Sequence, residues 1–168
     1  MPPQAAGLVL IVQPIVQAVL SPVAGHLSDK IEPRLISSLG MTFTSLGLFF
    51  LIFLNADTTI PYITIALIIL GIGFALFDSP NTNAIMGSVT RKYYGLASGS
   101  VSTMRLLGQN FSMALATLMI TLYIGHTAIT PATHQLFLNS SQITFIIFAV
   151  LCLIGIYFSY SRGQLHTK

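Results

Sequence analysis

The stretch Ser21–Arg34 reads SPVAGHLSDKIEPR, and its position decides how the whole chain is read. Four charges, Asp29, Lys30, Glu32 and Arg34, fall within six positions of a chain in which only 7% of residues are charged. Long apolar runs flank them on both sides. Such a cluster suits a short polar connection between two membrane-crossing helices: the turn meets water and headgroups while the runs meet hydrocarbon.

Composition supports that reading. Of 168 residues, 54% are hydrophobic, and seven Lys and Arg stand against four Asp and Glu. A water-soluble domain covers its surface with roughly a quarter charged residues. Lipid is therefore the expected solvent. Lipid leaves open strand edges unpaired, so the spanning elements are expected to be helices.

About 20 mainly apolar residues cross a hydrocarbon core of about 30 Å. Five segments qualify, at about 4–24, 35–54, 62–86, 96–123 and 142–159, and they form a single membrane domain. The amino-terminal MPPQAAGLVLIVQPIVQ lacks a positive leading region and reads as the first span rather than a cleavable signal. Lys30 and Arg34 fall in the first connection, Arg91 and Lys92 in the third, and Arg162 and Lys168 after the fifth span. The second and fourth connections hold no Lys or Arg. By the positive-inside rule the basic connections face the cytoplasm, with the amino terminus outside and the carboxyl terminus inside a cell membrane.

Several function classes drop out. Seven cations scattered over the chain form no stripe that could follow a phosphate backbone, which argues against nucleic acid. Cys152 is the sole cysteine and lies in an apolar run, so one chain builds no disulfide framework or thiolate metal site. No HExxH or Gly-x-Ser-x-Gly motif and no acid/base cluster occurs, so neither an enzyme nor a cofactor is expected. His126 and His134 read as solvated histidines of the long fourth connection. Asn139-Ser140-Ser141 matches a glycosylation acceptor placed outside, relevant only in a secretory pathway.

The fourth span is the most informative. Ser98, Ser102, Arg105, Gln109, Ser112 and Ala116 recur at helical spacing along one face, and Met104, Leu107, Phe111, Leu115, Leu118 and Leu122 along another. Arg105 lies about ten residues into the span, roughly 15 Å from its basic end at 1.5 Å per residue. A cation near mid-span costs on the order of 2.5–3.5 kcal/mol on insertion scales, so a partner or a wet cavity must relieve it. Asp78, in GIGFALFDSPNTN of the third span, stands at comparable depth on the neighbouring antiparallel helix. Two roles are open to it. It pairs with Arg105 or shares a hydrated cavity with it, or it caps a helix break with Ser79 ahead of Pro80.

Gln13, Gln17, Ser21 and Ala24 share a face of the first span, either lining a cavity or bonding between helices, while Pro14 and Pro22 are expected to bend it. The second span offers Gly40, Thr44 and Gly47 as a small face for close packing, and the fifth is apolar all round. Spans one, three and four therefore read as interior, and two and five as peripheral.

At these residues a family resemblance enters. Gly25-His26-Leu27-Ser28-Asp29-Lys30, closing with Arg34, resembles the G-x-x-x-D-[RK]-x-G-[RK]-[RK] loop of the major facilitator superfamily, in the copy found in the carboxyl-terminal half. Gly71-Ile72-Gly73 with SPNTNAIM, followed by GLASGSVSTMRLLGQ, looks like the later helices of its fourteen-span drug:proton antiporter branch. The loop departs from the pattern, with Glu32 in place of a glycine and Pro33 in place of a basic residue.

The resemblance implies an all-α transmembrane fold, a five-helix portion of the carboxyl-terminal bundle comprising its second to sixth helices. It implies a latch at Gly25, Asp29, Lys30 and Arg34, and a substrate and ion pathway drawn from Gln13, Gln17, Asp78, Asn81, Arg105 and Gln109. The implied function is part of a secondary active transporter, a proton-coupled exporter of small hydrophobic or cationic compounds. The implied partners are the lipid bilayer, substrate, protons and the missing transporter half, so the chain is expected to be a fragment. The alternative expectation is a transport-inactive truncated membrane protein, or a helical packing partner of another membrane subunit.

Overall fold

The structure, a computed structural model, describes residues 3–55, 57–125 and 134–160. Prolines set several of its helix boundaries. Helix α1 (Pro3–Leu10) gives way to α2 (Val12–Ser28) at Ile11. The cause lies four residues after Leu10: Pro14 has no N–H to give the Leu10 carbonyl, and its ring crowds that group. Ile11 nonetheless stays in the right-handed helical region, and the N–H groups of Ile11 and Ile15 donate to Gly7 and Ile11 at 3.2 Å. The two pieces thus run on as one apolar span, Gly7–Ser28.

Helix α3 (Pro33–Ile52) and α4 (Ile60–Gly87) each begin with a proline in the first turn, where its missing N–H costs nothing. A short 3-10 turn (Arg91–Tyr93) leads into α5 (Tyr94–Ile124), and α6 (His134–Tyr160) completes the order. Gly125 ends α5 at φ +73°, a left-handed conformation that glycine adopts without a Cβ penalty. Among the described residues five helices are long and apolar enough to cross a membrane, and no strand occurs.

Contacts fix the register. Gly40 meets Phe77, Thr44 meets Gly73 and Gly47 meets Leu70, so α3 and α4 run antiparallel. Ser38 bonds Ser159 at 3.0 Å and Gln142 donates to the Leu54 carbonyl at 2.9 Å, so α6 also runs against α3. Ser28 of α2 meets Asn83 of α4, so these two run parallel. The Asp29–Glu32 turn and the Arg91–Tyr93 turn therefore lie at one end of the bundle, the basic end.

The tightest seam is α3 on α4. A Cβ added to Gly40 would stand 2.6 Å from the Phe77 nitrogen, and one added to Gly73 would stand 2.6 Å from the Thr44 nitrogen. With no hydrophobic drive between helices in lipid, backbone approach of this kind gives packing its strength. Gly71, two residues away, opens the other side of α4 to Gln13 and Val16 of α2. Buried around these seams are Ala24, Ile36, Leu51, Ala66, Leu70 and Ala75.

Several expectations change. The interior of the cluster is α3 with α4, while α2 and α5 carry the least buried spans. The second span, expected at the periphery, packs deeply on α4 within this chain because its glycines allow it. Both faces of α5 are exposed, Met104, Phe111 and Leu122 on one and Ser102, Arg105 and Gln109 on the other, and Ala97 and Ile124 are its buried residues. Pro80 does not break α4 but lies buried inside it, so Asp78 and Ser79 cap nothing.

Helix α6 begins eight residues before the expected fifth span. Its polar segment is satisfied internally: Ser140 and Ser141 donate to the Phe137 carbonyl and Thr144 to the Ser140 carbonyl. His134 therefore opens a helix, and Asn139-Ser140-Ser141 is helical with Ser140 fully buried. His126, Arg162 and Lys168 lie outside the described residues.

Candidate functional site

The expected latch residues do not share one loop. Gly25 belongs to the last turns of α2, Asp29 and Lys30 form the exposed turn, and Arg34 is the second residue of α3. Gly25 serves close approach between α2 and α4, since a Cβ there would stand 3.0 Å from Ser79 Oγ. The two departures from the motif have a local account. Pro33 starts α3, and Glu32 just before it takes an ion pair from Arg34. Part of the charge in SPVAGHLSDKIEPR is thus neutralised within the turn itself.

Beside this turn Asn83 Nδ2 donates to Ser28 Oγ at 3.0 Å, and Ser28 Oγ donates to the Gly25 carbonyl at 2.7 Å. This clasp ties α2 to α4 at the basic end. Sequence reasoning passed over Asn83, although SPNTN placed it five residues beyond Asp78.

Toward mid-span, α2, α4 and α5 surround an open cleft of about 990 Å³. Gln13 and Gln17 line it from α2, Asp78 from α4, and Arg105 and Gln109 from α5. Across it the Arg105 guanidinium donates to the Asp78 carboxylate. The two side chains are 52% and 41% exposed, so the pair faces the cleft rather than a dry core. It relieves the cost of an isolated cation in a span. Gln13 Nε2 donates to Gln17 Oε1 at 3.2 Å, and Ser21 Oγ donates to the Gln17 carbonyl at 2.6 Å.

A second cavity of about 440 Å³ adjoins the first toward the basic end, lined by Asn81, Thr82, Ile85, Ser100 and Met104. Phe77, Asp78 and Arg105 line both cavities. The ion pair is therefore a partition, with glutamines on one side and Asn81 on the other. Phe74, Phe77 and Met113 are cleft residues that sequence reasoning missed. For Phe74 the signal was its four-residue offset from Asp78, which puts both on one helix face.

No group of His, Cys, Asp and Glu among the described residues could hold a metal ion. What remains is a mainly apolar cleft between membrane-crossing helices, carrying one ion pair and three glutamines. A model of the Major Facilitator Superfamily matches residues 1–167. The chain belongs to that superfamily.

Superfamily membership makes the chain a multi-pass membrane protein of a transporter family rather than an enzyme. It is 40% identical over 114 residues to the uncharacterized transporter YebQ of Escherichia coli K12, covering 68% of this chain and 25% of that protein. It is 32% identical over 115 residues to the riboflavin transporter RibZ of Clostridioides difficile, covering 68% and 24%. The multidrug resistance protein Stp of Mycobacterium tuberculosis is 29% identical over 125 residues, covering 74% and 23%. The chain thus spans about a quarter of the length of the curated relatives it matches.

Proposed function

We propose that this superfamily member forms the carboxyl-terminal part of a secondary active transporter that exports small molecules, coupled to protons. Its amino terminus lies outside and its basic end faces the cytoplasm. The substrate route runs along the cleft between α2, α4 and α5, past Gln13, Gln17, Gln109 and the Asp78–Arg105 pair, and on to Asn81. The observation that carries this reading is the Asp78–Arg105 pair turned toward open space inside the span. Intramembrane charges are costly, and where they occur they mark transport paths or structural pairs. Relatives named for riboflavin transport and for multidrug resistance support a small-molecule cargo.

The test is Arg105→Ala in the complete transporter, with insertion measured by membrane fractionation and efflux in inverted vesicles. Insertion persists and efflux falls at least tenfold. Unchanged efflux removes the route from this cleft.

The exposure of α5 favours a second reading, in which the five helices act as a packing partner for another membrane segment without transporting. Copurification with a second subunit, together with no transport by the assembly, would support it.

A further inference from the structure

We infer that the cleft accepts an uncharged, flat heteroaromatic compound with a lactam or imide edge in preference to a lipophilic cation. The inference rests on the reading of the cleft as a substrate route and narrows its cargo.

Charge comes first. Among the described residues lining the cleft, Asp78 and Arg105 are the charged ones, and they are bonded to each other. The wall these residues form therefore has no net formal charge to offer an ion. A cationic compound would have to take Asp78 away from Arg105, leaving a guanidinium uncompensated within the span. An uncompensated cation inside a span is costly.

Hydrogen bonding comes second. The Gln13–Gln17 bond uses one donor of the first amide and one carbonyl of the second. A primary amide carries a carbonyl acceptor and two N–H donors, so Gln13 keeps its carbonyl and Gln17 its NH2 for a ligand. Facing them across the cleft, the Gln109 amide has no partner among the described residues. Adjacent donors and acceptors on both walls match the alternating N–H and C=O of a lactam or imide.

Shape comes third. Phe74 and Phe77 on α4 and Met113 on α5 supply two aromatic faces and a polarizable thioether. Both favour contact with a flat π-system. A volume of about 990 Å³ lies at the upper end of small-molecule sites and leaves room for a two- or three-ring compound.

Two fluorescent probes, each built on three fused rings and differing in charge, test this. Lumiflavin is neutral with an imide edge; ethidium is a flat cation. Each is titrated by anisotropy against the 168-residue chain in lipid nanodiscs, with empty nanodiscs subtracted. Lumiflavin binds saturably, Gln109→Leu weakens it about tenfold through lost hydrogen bonds, and ethidium shows no saturable binding. Arg105→Gln frees the Asp78 carboxylate and creates ethidium binding, which Asp78→Asn in the same background abolishes. Ethidium binding the unaltered chain as tightly as lumiflavin overturns the inference while leaving the route intact. Lumiflavin binding that ignores both Gln109→Leu and Gln13→Leu, or no binding of either probe, also overturns it. Failure of the route itself shows separately, as unchanged efflux of Arg105→Ala in vesicles.

Discussion

Gly40 of α3 lies against Phe77 of α4 so closely that a Cβ on it would stand 2.6 Å from the Phe77 backbone nitrogen. Backbone cannot step aside as a flexible side chain can, so a larger residue forces the helices apart. Overpacking of this kind costs about 1–3 kcal/mol. Gly40→Val is expected to lower the midpoint of SDS-induced unfolding of the detergent-solubilised chain accordingly. Gly99→Ala is the opposite case, because nothing lies within 4 Å of a Cβ there. It should stabilise α5 by about 0.5–1 kcal/mol through reduced backbone entropy in the unfolded chain. Equal effects at the two sites would contradict the packing described.

The Ser28–Asn83 clasp makes a smaller, distinct prediction. Interhelical hydrogen bonds in membrane proteins average about 0.6 kcal/mol and reach about 1.7. Asn83→Ala should fall within that range, since Ser28 retains its bond to the Gly25 carbonyl. A double-mutant cycle with Ser28→Ala isolates the shared term. A coupling energy of zero would mean that the clasp does not hold α2 to α4.

These two sites also show what the sequence could and could not reveal. Five spans and their polar faces were legible because lipid imposes one rule on composition and helices impose one period. The Asp78–Arg105 pairing was legible because a lone mid-span cation demands relief. Burial order was not legible. A small face such as Gly40, Thr44 and Gly47 shows that a helix can approach another closely, not how many neighbours will do so. The start of α6 was missed because Asn139–Ser141 reads as part of the connection before a span starting at Gln142; its serines in fact bond back to Phe137, and Gln142 reaches the end of α3. Asn83 went unnoticed because its partner lies 55 residues away.

The ion pair predicts an asymmetry between single and double substitutions. Asp78→Ala leaves Arg105 in the span without its carboxylate, a penalty on the order of 2.5–3.5 kcal/mol on insertion scales where the charge cannot reach the headgroups. Asp78→Ala with Arg105→Ala removes both charges and should restore much of the stability lost by the single change. SDS unfolding of the three variants decides it. A double variant less stable than either single one would show that the two residues act independently.

Threading direction yields the last prediction. Lys30 and Arg91 stand at the basic end of the bundle, and Asp57 stands in the turn between α3 and α4 at the other. The antiparallel register of α3 against α4 places these turns on opposite membrane faces whichever way the bundle is inserted. Cationic connections are retained on the cytoplasmic side, so Lys30 and Arg91 are expected inside and Asp57 outside. Single cysteines can report this once Cys152→Ser removes the native thiol. A membrane-impermeant maleimide should label Asp57→Cys in right-side-out vesicles, and Lys30→Cys and Arg91→Cys in inverted ones. Labelling Lys30→Cys and Asp57→Cys from one side would refute the register. The reverse assignment of all three would keep the register and invert the proposed orientation, placing Asn81 and its cavity at the outer mouth of the route.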